Sequence, residues 1–63
     1  MQVEIIGLEQ GSLVVELSVL PREGEYLKIQ QDDDLIEAEV ASVTHTIDPN
    51  RPQHIKIALK PIN

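Results

Sequence analysis

Between Ser12 and Leu20 the chain alternates without a slip: Leu13, Val15, Leu17 and Val19 share one face, and Val14, Glu16, Ser18 and Leu20 the other. A helix would need apolar residues three and four apart, with poor β-formers between them. A strict period of two rich in β-branched side chains is that of a strand. The same period returns elsewhere. Val3 and Ile5 alternate with Gln2 and Glu4 in a strand over 2–8, where Gly7 breaks the phase and marks a bulge or a close backbone approach. Leu27 and Ile29 point inward, and Tyr26, Lys28 and Gln30 outward, in a strand over 25–30. Ile55, Ile57 and Leu59 do the same in a strand over 53–62, with Pro61 suiting an ending or an edge.

The fifth segment, 35–47, is too long to lie flat. Ile36, Ala38 and Val40 hold one phase, whereas Ala41, Val43, His45 and Ile47 hold the other. A one-residue slip moves every later side chain to the opposite face. A bulge or bend near Val40 and Ala41 reconciles the two.

Turn signals separate the runs. Leu8-Glu9-Gln10-Gly11 reads as a tight hairpin, Gln31-Asp32-Asp33-Asp34 as a polar turn, and Asp48-Pro49-Asn50-Arg51-Pro52 as a short loop. The hardest corner is Leu20-Pro21-Arg22-Glu23-Gly24-Glu25-Tyr26, where Pro21 cannot donate to a ladder and Gly24 opens backbone conformations other residues avoid. No helix, repeat or linker is legible. The expectation is an all-β single domain over 1–63, a five-stranded antiparallel meander curled into a small barrel to hide its edges.

A chain of 63 residues lies near the lower limit for independent folding, and without cysteine it has neither disulfides nor thiolate metal sites to help. Self-association or a protein partner is one way to add stability, so a homo-oligomer is an expected form. Eleven acidic residues against five basic ones, a net charge of -6 and a single aromatic residue argue against direct nucleic-acid binding, which draws on clustered cations and stacking rings. No apolar run approaches the roughly 20 residues of a membrane helix, and the first residues lack a signal-peptide pattern; the expected location is cytoplasmic.

Candidate chemistry is sparse. His45, Asp48 and His54 would meet only if the last hairpin brought the imidazoles together, and zinc needs three or four convergent ligands. Asp32, Asp33 and Asp34 lack the alternation, glycine and terminal glutamate of a calcium loop. With no activated nucleophile, phosphate loop or carboxylate pair, neither an enzyme nor a cofactor or metal site is expected. What remains is recognition. Arg22 and Tyr26 flank the corner as protein-interface anchors, and Asp32, Asp33, Asp34, Glu37 and Glu39 form an acidic stripe facing a basic partner. The bland alternatives are a solvated charged face, and an Arg22 paired with Glu23 or Glu25 beside a Tyr26 that caps the barrel.

The corner Leu20-Pro21-Arg22-Glu23-Gly24-Glu25 and the later Val40-Ala41-Ser42-Val43-Thr44-His45 together resemble small SH3-like β-barrel proteins of bacteria and prophages, mostly uncharacterised. That resemblance covers most of the chain and implies the fold; a complete small fold with no catalytic constellation makes a protein-binding accessory module, of a phage-like or mobile-element locus, the expected function. Proline-rich peptide binding does not carry over, because SH3 grooves use several aromatic residues and only Tyr26 is present. Sm-like barrels are similar in strand order, but their signature residues and basic RNA-facing loops are not evident. Two alternatives belong to other classes: an acidic inhibitor imitating a nucleic-acid backbone, and a homo-oligomeric structural component.

Overall fold

The computed structural model describes residues 1–9 and 11–62. Five strands, β1 (Gln2–Leu8), β2 (Gly11–Glu16), β3 (Tyr26–Gln31), β4 (Asp34–Asp48) and β5 (Arg51–Pro61), form one curled, half-barrel sheet in the order β2-β1-β5-β4-β3. No helix occurs among the described residues.

The expected antiparallel meander needs two corrections. First, β1 and β5 run parallel, with Glu4, Ile5 and Ile6 opposite Lys56, Ile57 and Ala58. Counting reversals explains this: four turns leave the fifth strand pointing the way the first one points, so a five-stranded path that returns to its start must close on a parallel seam. Second, β2 and β3 do not pair and are the two edges of the sheet. The segment between them is the Pro21-Gly24 corner, and it crosses from one edge to the other where a hairpin would have joined them.

Strand β2 is also shorter than its alternation predicts. It stops at Glu16, and Leu17 and Met1 then exchange two backbone hydrogen bonds of 2.8 Å each. Val19, on the strand face of Leu13, Val15 and Leu17, is 77% exposed, whereas Leu20, on the opposite face, packs on the core with Leu17. From Ser18 to Leu20 the backbone joins no ladder among the described residues, so the strand period no longer dictates where side chains point.

The corner is held by its own backbone. Glu25 N–H donates to the Arg22 carbonyl (3.1 Å), and the Arg22 N–H donates to the Glu25 carboxylate (2.7 Å). Gly24 N–H then donates to the Val40 carbonyl (2.9 Å), and Val40 N–H to that of Glu25 (2.8 Å). Gly24 has φ 91° with open space around a would-be Cβ. Gly24→Ala is therefore expected to lose only the left-handed backbone penalty of about 1–2 kcal/mol, read as a lower urea midpoint with an unchanged slope.

Both expected bulges are present. The β1–β2 register shifts between Ile5 and Leu8, around Gly7, and the β4–β5 register shifts between Val40 and Ser42. The second bulge bends β4 and lets Val40 and Val43 both face inward despite their odd spacing. A further shift between Thr46 and Asp48 accommodates Pro52 inside β5, a position where a ladder donor is not required. The Pro49-Asn50 loop is tighter than the five-residue turn expected from 48–52, with Asp48 opposite Arg51 and the Asn50 N–H donating to Asp48 Oδ1 (2.9 Å). The expected turn at 8–11 includes Gln10, which lies outside the described residues; Gly11 follows with φ 101°.

The core is Val3, Ile5, Ala38, Val40, Ile55, Ile57 and Leu59, flanked by half-buried Leu8, Val15, Leu17, Leu20, Leu27, Ile29 and Val43. It fills the middle of the concave face. The far end of the β4–β5 hairpin has nothing beneath it, so Ile47 (78% exposed) and His45, expected on an inward phase, are both in solvent.

Candidate partner-binding face

The β3–β4 hairpin carries most of the residues singled out for recognition. Its register places Tyr26 opposite Glu39, Lys28 opposite Glu37 and Gln30 opposite Leu35, all on the convex face. Asp32 and Asp33 form the tip, with Asp32 at φ 54° and its carbonyl accepting from Gln30 Nε2 (3.1 Å); Gln31 and Asp34 close the turn. Tyr26 is 66% exposed, so it does not cap the barrel. Arg22 is exposed on the corner leading into the hairpin, and its guanidinium makes no ion pair among the described residues. Glu25 engages Arg22 through the backbone N–H instead.

The acidic stripe is real in position but interrupted in charge. Lys28 lies directly across from Glu37, and Lys60 Nζ is 3.7 Å from Glu39 on the other side. Only Lys60 and Glu39 come within ion-pair distance, and that partly exposed pair contributes at most about 1 kcal/mol. The effect of the two lysines on recognition is larger than on stability, because they alternate sign along the face. The uninterrupted negative charge is confined to the tip, Asp32 to Asp34. The alternation that places Lys28 outward was legible in the sequence. Its facing Glu37 was not, because cross-strand register depends on the tight turn at Asp32-Asp33.

His45 and His54 do not meet. His54 is opposite Thr46 and His45 opposite Ile55, so the two rings leave opposite faces of the hairpin. His45 Nδ1 accepts from Gln53 Nε2 (2.8 Å), and His54 Nε2 lies 3.0 Å from Glu4 Oε1. His45 is exposed rather than half-buried, because the hairpin end outruns the core.

Two shallow concavities accompany the sheet. One of about 250 Å³ lies at the bulge end, walled by Gly7, Leu8, Ile36, Leu59 and Pro61, and one of about 210 Å³ lies on the convex face among Gln2, Glu4, Val14 and His54. Both fall below the roughly 300–1,000 Å³ of ordinary small-molecule sites. No described helix is long and apolar enough to cross a membrane. Comparison with protein-family models, curated proteins and solved structures finds no match.

Proposed function

We propose that the chain is a small SH3-like barrel that serves as a non-enzymatic protein-binding module in the bacterial cytoplasm, taking a basic segment of its partner along β3. The observation that carries this reading is the coincidence of three features on one element. Strand β3 is an unpaired edge, Tyr26 stands exposed at its start, and Asp32 to Asp34 close its other end. A partner strand added to such an edge gains backbone hydrogen bonds, while neighbouring side chains set its identity. Tyrosine supplies contact area at low entropy cost, and the acidic tip favours cations on the incoming chain.

The reading as a nucleic-acid mimic has less support, because Lys28 and Lys60 interrupt the row that would have to imitate evenly spaced phosphates. The test is affinity capture from a bacterial lysate with wild-type protein and with Tyr26→Ala. Tyr26→Ala is expected to weaken the specific partner by about 2 kcal/mol, roughly thirtyfold, and to drop it from the captured set. An identical set retained by both proteins refutes the assignment of β3.

A further inference from the structure

We infer that the opposite edge, β2, is a self-association surface on which a second copy of this chain pairs its own β2 about a two-fold axis through Val14. The surface differs from the β3 edge assigned above and does not depend on that assignment.

The backbone geometry fixes which groups are free. In an antiparallel ladder, pairs that exchange both hydrogen bonds alternate with pairs that exchange none. Met1 and Leu17 exchange both, and the register continues through Gln2 with Glu16, Val3 with Val15, Glu4 with Val14, and Ile5 with Leu13. Val15 and Leu13 therefore bond to β1. Glu16, Val14 and Ser12 turn their N–H and C=O groups away from it, toward the open edge.

The same argument applied to β3 starts from Glu25 with Val40 and from Gln31 with Asp34 across the turn. It leaves Tyr26, Lys28 and Gln30 with outward-facing backbone groups. The two edges are thus equivalent in hydrogen-bonding capacity and differ in side chains.

Side chains decide between them. Proteins protect sheet edges with a central lysine, a proline or a bulge. Self-pairing of β3 about its centre would set Lys28 against Lys28, a like-charge pair that is destabilising directly across strands. Strand β2 has no lysine and no proline, and its bulge lies on β1 beyond Ile5. Self-pairing of β2 sets Val14, 63% exposed, against Val14, and each Glu16 against the Ser12 of the other copy. The first is an apolar β-branched pair, and the second places a hydroxyl donor opposite a carboxylate. In a chain of net charge -6, β2 is the edge on which two copies meet without opposing like charges. The result is an isologous dimer in which one sheet runs through both copies, a closed symmetry that leaves each β3 free.

The test uses Val14→Pro and Val14→Lys. The Val14 N–H is not part of the β1–β2 ladder, so proline removes a donor to the second copy and none within the chain. Wild-type protein is expected to rise from 7.0 kDa toward twice that mass in light scattering as concentration increases. Val14→Pro is expected to weaken the dimer by roughly tenfold to a hundredfold, because the symmetric pair loses both hydrogen bonds donated at its centre. Val14→Lys, which retains the backbone donor and so guards against a folding defect, places like charges face to face and is expected to do the same. In hydrogen exchange, the Val14 amide becomes protected with concentration while the Val15 amide is protected throughout. A wild type that stays at 7.0 kDa at every concentration overturns the inference. So does a Val14→Lys protein that dimerises unchanged, and so does an assembly dissolved by Lys28→Pro, which would place the contact on β3.

Discussion

Gly7→Ala is expected to cost about 4 kcal/mol and to lower the melting temperature by roughly 15–30 °C. Gly7 sits at φ 94°, where an L side chain is strained by about 1–3 kcal/mol. The strain is the smaller part of the problem. An added Cβ would press into the Leu59 carbonyl oxygen, with Leu59 N at 3.2 Å and Leu59 C at 3.3 Å. These are backbone atoms of β5, which cannot swing aside as a side-chain tip can. Relief requires prising β5 from the β1 bulge, next to the parallel seam on which the sheet closes. Gly24 supplies the contrast, since its φ is almost the same and its surroundings are empty. Differential scanning calorimetry on both variants separates the two contributions: equal shifts would mean that the Leu59 backbone yields freely, contrary to this account.

Ile57→Ala comes next, at about 2–5 kcal/mol. Ile57 is fully buried and lies where the sheet is joined from both sides, opposite Ile5 across the parallel seam and opposite Val43 across the antiparallel one. Truncation leaves a void bounded by strands whose spacing is set by backbone ladders, so little collapse is available to fill it. Domains this small have stabilities at the low end of the usual 5–15 kcal/mol, and the variant should be substantially unfolded at 37 °C. Ile47→Ala removes the same atoms from a side chain in solvent and is expected to stay within about 0.5 kcal/mol of wild type. Urea titrations monitored by far-ultraviolet circular dichroism check both, and comparable losses at the two positions would contradict the placement of the core.

Most of the strand content was legible because burial on one face imposes a period of two. Val3 and Ile5, Ile36 through Val40, and Ile55 through Leu59 show that period and are inside or partly inside. The phase slips at Gly7 and at Val40-Ala41 were readable for the same reason, since a buried strand cannot change face without an extra residue. The alternation misled where its cause was missing. Val19 and Ile47 continue an apolar phase past the point where anything covers it, and sequence period alone cannot say how far the core extends. Direction was harder still. The parallel pairing of β1 with β5 follows from the number of reversals once closure is known, yet no residue near Glu4 or Lys56 announces it.

The candidate binding face was visible in its parts and not in its arrangement. Tyr26 and Arg22 stand out by residue type, and the structure leaves both in solvent. The acidic row read along β4 becomes an alternating pattern only after β3 and β5 are laid beside it, because Lys28 and Lys60 come from distant parts of the chain. The free edges belong to the same category. That Val14 has an unused N–H depends on a hydrogen-bond phase set at Met1 and Leu17.

The parallel seam also orders events in time. Glu4 to Ile6 pair with Lys56 to Ala58, a contact between distant parts of the chain, whereas the β1–β2 and β3–β4 ladders join neighbouring segments and close at a lower entropy cost. Without β5 the β1–β2 pair and the β3–β4 pair share no ladder, and Val3 and Ile5 lack their core neighbours on β5. Docking of β5 between them converts two incomplete hairpins into one sheet. Until then, the folding chain presents its future core to whatever else binds apolar strands.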